Sequence, residues 1–140
     1  MIYTSSQKLP IKKKEYQYYF LAGSMNLQKE VSWRDKIMKE ISGNVLFLDP
    51  TNKNHDSLSD KEMKAHIEWE LEAMELADTI ILNFLPNAMS PISLVELGLH
   101  AKSGKLIVVC PDEFYKSRYV HILCKKYKIP IYKTFENIFV

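Results

Sequence analysis

Apolar residues in this chain fall into short continuous runs, separated by longer stretches in which they recur every three or four positions. The runs are Tyr18-Tyr19-Phe20-Leu21-Ala22, Val45-Leu46-Phe47-Leu48, Thr79-Ile80-Ile81-Leu82-Asn83-Phe84, Leu106-Ile107-Val108-Val109-Cys110 and Ile129-Pro130-Ile131-Tyr132. Gly23-Ser24, Asp49-Pro50 and Pro111 close three of them. Runs of this length with no polar alternation read as strands buried on both faces. Pro130 places the last one at a sheet edge, where a missing N–H is tolerated. Between the runs the period changes to that of a helix. Trp33, Ile37 and Ile41 stand at i, i+4 spacing over 33–42, with Ser32 as N-cap and Gly43 as the stop. Ser59 and Glu62 form a capping-box pattern that opens a long helix to about Ala77. Ser90-Pro91 opens a third helix, with serine as N-cap and proline at the first turn, running to about Ser103 before Gly104. Residues 116–127 make a fourth.

Strand and helix therefore alternate five times. This predicts an α/β fold: a single flavodoxin-like doubly wound domain with a five-stranded parallel sheet in the order 2-1-3-4-5 and helices on both faces. Residues 1–15 are expected to be a flexible arm and 16–140 the domain. In such folds ligands bind beyond the carboxyl ends of the strands, so the loops of interest begin near Gly23, Asp49, Leu85 and Pro111.

Bulk properties narrow the function classes. The 140 residues carry a net charge of +2, with 46% hydrophobic and 26% charged positions. No global basic field calls for a nucleic acid polymer. No stretch approaches the roughly 20 apolar residues of a membrane span. The N-terminal residues are polar and basic, Lys12 to Lys14 included, and a cytoplasmic protein is expected. Cys110 and Cys124 have neither a disulfide-framework nor a zinc spacing, and the four histidines are scattered, so no metal and no cofactor is expected.

Two carboxylates stand in unusual company. On the helix 59–77, Met63, Ile67, Leu71 and Met74 form an apolar stripe, while Glu68, Glu72, Glu75, Lys61 and Lys64 gather on a charged flank. Glu70 falls instead beside Ile67 and Met74 at the edge of the stripe, one turn after His66. Trp69 and Leu76 make a separate apolar pair that suggests a subunit contact. On the helix 91–103, Ile92, Leu94, Val95, Leu97 and Leu99 leave almost no polar face, which predicts burial nearly all round. Glu96 lies in its second turn with no basic neighbour in sequence. A buried carboxylate without a partner is costly, so it marks either a structural strut or chemistry. Paired carboxylates suit glycosidic cleavage, in which one attacks or stabilises the anomeric carbon and the other handles the proton. The start of the same helix, with Ser90 and Ser93, offers free amides and hydroxyls to an anion, and Gly23-Ser24 can do likewise.

These segments resemble the nucleoside 2-deoxyribosyltransferase-like superfamily, including its nucleotide N-glycosidase relatives. The resemblance rests on Tyr19-Phe20-Leu21-Ala22-Gly23-Ser24, Ser32-Trp33-Arg34, Trp69-Glu70 with Ala77-Asp78, Ser90 to Gly98, and Gly104-Lys105. It implies that Glu96 is the nucleophile that displaces the base and that Glu70 manages the proton on the base. It also implies that Tyr19 steadies the nucleophile. Ser90 stands where the transferases place an aspartate for the sugar 5′-hydroxyl and the nucleotide hydrolases a serine for a 5′-phosphate. That swap points to a monophosphate, with Ser24 and Ser93 assisting. The hydrolases' Gly-rich first loop is replaced by Met25-Asn26-Leu27.

Arg34 and Arg118 are the only arginines, and either can clamp a phosphate or form an ordinary ion pair. Asp49 can read a base edge or make a turn before Pro50. The expected partner is a small nucleoside or nucleotide, handled by a homodimer or larger homo-oligomer. Hydrolysis and deoxyribosyl transfer both remain open. The alternatives are a non-catalytic nucleotide-sensing module and an NAD glycohydrolase.

Overall fold

The computed structural model describes residues 1–24, 32–52 and 54–139; the Met25-Asn26-Leu27 substitution lies outside them. Six parallel strands form one sheet: β1 (Ile2–Thr4), β2 (Gln17–Gly23), β3 (Val45–Asp49), β4 (Thr79–Asn83), β5 (Leu106–Val109) and β6 (Ile131–Tyr132). Their spatial order is β1-β3-β2-β4-β5-β6. The five expected strands stand in the expected order, and β1 adds a sixth at the edge beside β3. Helices α1 (Trp33–Glu40), α2 (Asp60–Leu76), α3 (Pro91–His100) and α4 (Ser117–Lys126) connect them, with 3₁₀ turns at His55–Ser57 and Phe135–Phe139.

Strand alternation sorts the core into two layers. Phe20 and Ala22 of β2 join Trp69, Ala73 and Met74 of α2, Leu97 of α3, and Val120 and Cys124 of α4 on one face. Leu21 of the same strand joins Trp33 and Ile37 of α1 on the other, where Phe135 and Ile138 of the last turn close the layer. The chain passes from β2 outward to β3 and then back across to β4, so the topological switch point lies between β2 and β4. There Gly23 pairs with Asn83. Gly23 has φ +137°, and a Cβ on it would collide with the Asn83 carbonyl oxygen and press on the Trp33 ring. Only glycine fits this crossing of strand end and helix.

Local chemistry explains the helix bounds. Ser59 caps α2 with a full capping box: its hydroxyl accepts from the Glu62 N–H at 3.2 Å, and Glu62 accepts from the Ser59 N–H at 3.0 Å. At the other end Lys105 donates to the carbonyls of Met74 and Glu75, at 3.2 and 2.6 Å. No helix among the described residues is long and apolar enough to cross a membrane.

Three expectations are corrected. Residues 1–15 are not a loose arm. β1 completes the free edge of β3, the Trp69 indole donates to the Gln7 carbonyl at 3.0 Å, the Lys13 N–H donates to the Tyr18 hydroxyl at 2.8 Å, and Lys12 pairs with Asp78 at 2.8 Å. α2 is also rotated from the expected orientation. Its buried face is His66, Trp69, Ala73 and Met74, and Leu76 packs against the same core, while Ile67 and Leu71 are exposed. The bulk of Trp69 and the smallness of Ala73 and Ala77 seat the helix, so Trp69 and Leu76 are core rather than a subunit contact. Finally, α3 is not buried all round. Ser93, Glu96, Leu97 and His100 face inward, whereas Ile92, Val95 and Leu99 stay largely exposed, Val95 at 63%.

Candidate active site

Glu70 on α2 and Glu96 on α3 lie near enough for the charge of one to act on the other. Glu96 is only 7% exposed. Burial and the nearby charge of Glu70 push its carboxyl up to about 7, and Arg34 pulls against them. Glu70, half-buried, is also raised, by burial first, against the opposing pull of His66, His55 and Arg34. Each carboxyl is thereby held protonated to a higher pH than a free one. That is the arrangement acid–base work at neutral pH requires.

Arg34 answers the question of what offsets Glu96, since sequence places no basic residue near it. The guanidinium is buried beneath the end of β2. It donates to the carbonyls of Leu21 at 3.1 Å and Gly23 at 2.7 Å, reaches that of Ser24 at 3.5 Å, and lies 3.5 Å from Asp49. The Trp33 ring stacks against it at 4.5 Å. Ser32 caps α1 through the Arg34 N–H and so fixes where this side chain starts. Arg34 is thus a strut whose N–H groups serve protein carbonyls, not the phosphate clamp expected of it. Asp49 resolves likewise: its carboxylate accepts from the Thr51 N–H at 2.9 Å, a turn contact, and faces Arg34. Arg118 lies on the exposed face of α4.

Ser90 occupies the N-cap position of α3 but does not cap. Its backbone is left-handed (φ 52°, ψ 53°), and its hydroxyl turns to that of Ser24, 2.6 Å away. A left-handed non-glycine residue stores strain of about 1–2 kcal/mol. The hydroxyls of Ser24 and Ser90 therefore meet at the opening of α3, beyond the Gly23 end of β2, and Ser93 is buried in the first turn of that helix. These are the anion-site residues expected from the sequence, and Glu96 follows them on the same helix.

The segments that build this constellation, from β2 through α1, α2 and α3 to Phe114, lie within one family model. The model, described as nucleoside 2-deoxyribosyltransferase like, matches residues 17–114. The chain belongs to the nucleoside 2-deoxyribosyltransferase-like family. A search of curated proteins found no match to it.

Within this family member the sequence-based set is only partly assembled. Ser24 at the end of β2 meets Ser90, Arg34 binds the carbonyls of Gly23 and Ser24, and its charge is felt at both Glu96 and Glu70. Tyr19 does not join them. Its position on β2 turns it to the α1 face of the sheet, where its ring packs on Phe47 with centroids 6.0 Å apart. A one-residue step along a strand reverses the face, which a sequence match near the right position cannot reveal. The residues that sequence reasoning passed over are His66, whose Nε2 lies 2.7 Å from Glu70, and His55, whose ring meets His66 edge-on at 5.5 Å. The i, i+4 spacing of His66 and Glu70 was the available signal. A cleft of about 300 Å³ opens across the sheet ends on the far side of Trp33, walled by Asn83, Phe84 and Phe135.

Proposed function

We propose that the protein cleaves the N-glycosidic bond of a nucleoside 5′-monophosphate or nucleoside, with Glu96 as nucleophile. The observation that carries this reading is a buried Glu96, raised to about 7, under the charge of a second raised carboxyl at Glu70 on α2. In the first step the Glu96 carboxylate bonds to C1′ and the C1′–N bond breaks. The electron pair leaves with the base, which takes the proton from Glu70. In the second step water or another base gives up its proton to the Glu70 carboxylate and bonds to C1′, while the bond from C1′ to Glu96 breaks and frees that carboxylate. Water gives hydrolysis; a second base gives transfer. Ser24, Ser90 and Ser93 hold the 5′ end of the sugar, and the hydroxyl donors and helix start there suit a phosphate better than an aspartate would.

Assembly belongs to the same proposal. Ile67 and Leu71 on α2 and Ile92, Val95 and Leu99 on α3 form exposed apolar stripes on the helices that carry the two glutamates. A second copy covering both stripes makes a homodimer and shields the carboxylates from water. The two buried free thiols fit a reducing compartment, the cytoplasm.

The test is incubation with pooled nucleosides, monophosphates and NAD, with and without a second base, followed by chromatography. Free base indicates hydrolysis, a new nucleoside indicates transfer, and nicotinamide indicates the NAD glycohydrolase alternative. Full turnover by Glu96→Gln would overturn the mechanism. A second reading, a nucleotide-sensing module without turnover, draws on Met25-Asn26-Leu27 in place of the hydrolases' Gly-rich loop. Tight nucleotide binding with no product across the pool would select it.

A further inference from the structure

His66 is a buried titratable group on which the proposed reaction has so far drawn nothing. It lies inside the fold under α2, and its Nε2 meets Glu70 Oε1 at 2.7 Å. Its Nδ1 is fully enclosed and has no hydrogen-bond partner among the described residues. The His55 ring stands edge-on against it.

These contacts select one form of the ring. An imidazolium, or the neutral Nδ1–H tautomer, would bury an N–H with no acceptor among the described residues. The neutral Nε2–H tautomer leaves only a lone pair unpaired at Nδ1 and donates its single proton to Glu70. We propose that His66, held as the Nε2–H tautomer, is a positioning residue for Glu70: it engages Oε1 and thereby reserves the other carboxyl oxygen, Oε2, to carry the proton that passes to the leaving base.

The reason lies in carboxyl geometry. An ionised carboxylate has two equivalent oxygens, and a free one can take its proton on either. Once Oε1 accepts from a fixed N–H, a proton there would set two hydrogens against each other. Protonation is directed to Oε2, and the carboxyl plane cannot spin about its bond to the side chain. The imidazole itself is locked by its own helix, since His66 and Glu70 are one turn apart. The charged and titratable groups facing Glu70 are His66 from α2, His55 from the 3₁₀ turn, Arg34 from α1 and Glu96 from α3. Among them only His66 makes a hydrogen bond to its carboxylate.

This inference rests on the catalytic reading for its consequence, but not for its geometry, and two measurements separate them. The first is the ¹⁵N spectrum of the His66 ring in the intact protein at neutral pH. The Nε2–H pattern is expected; an Nδ1–H or imidazolium pattern overturns the proposal, whether or not the protein turns over a nucleotide. The second is kinetic, on whichever nucleoside or nucleotide the pooled assay identifies. His66→Gln can place an amide N–H near the position of Nε2, while His66→Leu cannot donate. Relative to the unsubstituted protein, His66→Leu is expected to lose about 10- to 100-fold in kcat with little change in KM. The alkaline limb of its pH profile should move upward, because Glu70 without its donor keeps its proton longer. His66→Gln should retain most of kcat and the original limb. An unchanged kcat and limb in His66→Leu, or equal losses in both variants, overturns the proposal. Absence of turnover in the unsubstituted protein overturns the catalytic reading and leaves the ring's tautomer to decide the geometric one.

Discussion

The hydroxyls of Ser24 and Ser90 lie 2.6 Å apart, joining the end of β2 to the first turn of α3 across 66 residues of chain. Neither capping nor packing requires this contact. Ser90 adopts a left-handed backbone to make it, and α3 goes without a side-chain cap. Two hydroxyls this close can turn together onto one anion, each donating a proton. Ser90→Gly is the informative substitution, because glycine accepts φ 52° without strain and removes the hydroxymethyl group. If a 5′-phosphate sits here, kcat/KM for the monophosphate should fall about tenfold or more, the value of one hydrogen bond to a charged group. Turnover of the unphosphorylated nucleoside should change much less. Ser90→Asp should invert the preference. Equal losses on both substrates would remove the phosphate from this position.

Glu96 couples activity to stability with opposite signs. Its carboxyl titrates near 7 in the fold against an ordinary value of 4.5. Between those values the unfolded chain is ionised while the folded protein still holds the proton. Raising the pH through that window therefore favours unfolding, and the loss is complete above about 7. Glu96→Gln removes the cost. It should be more stable than the unsubstituted protein at pH 8 by up to about 3 kcal/mol, with the difference vanishing near pH 4. Denaturant titrations at the two pH values measure this. Base release should be abolished in the same variant, and in the unsubstituted protein its acid limb should fall below about pH 7 as Glu96 takes up its proton.

Arg34 holds three successive features in place with one planar group: the β2 carbonyls, Asp49 and the Trp33 ring. A lysine keeps the charge but not the fork. Arg34→Lys is expected to lower stability by about 3 kcal/mol, within the range for breaking a buried, hydrogen-bonded charge site. Arg34→Met should lose more and also move the acid limb of activity upward, since the cation that eases ionisation of Glu96 is gone. Thermal melts and pH profiles of the two variants separate the structural from the electrostatic share.

The exposed stripe of α3 predicts an assembly that a single charge can break. Val95 is flanked along the helix by Ile92 and Leu99, all exposed. Light scattering should give a dimer for the unsubstituted protein and a monomer for Val95→Lys. A monomeric unsubstituted protein would leave these stripes without the proposed occupant.

Much of the fold was legible in one dimension because its strands are buried on both faces. Such strands need continuous apolar runs, and runs bounded by Gly23, Asp49-Pro50 and Pro111 are visible without neighbours. The capping box at Ser59 and Glu62 is equally local, since both partners lie within four residues. β1 escaped notice because Ile2-Tyr3-Thr4 is short, and only the free edge of β3 makes a strand of it. The rotation of α2 escaped for a related reason. Met63, Ile67 and Leu71 match a core stripe as well as His66, Trp69 and Ala73 do, and sheet packing chooses between the two.

The site divides along the same line. By itself the sequence determined that Glu96 and Glu70 stand among apolar neighbours, that Ser90 opens α3, and that Gly23-Ser24 ends β2, because periodicity and turn chemistry are properties of nearby residues. Only the tertiary structure decided which groups surround them. It brought Arg34 from α1 to offset Glu96, turned Tyr19 to the opposite face, joined Ser90 to Ser24 and enclosed the Nδ1 of His66. Charge, burial and hydrogen bonding act through space over a few ångströms, and a chain that crosses its own sheet sets those distances independently of separation in sequence.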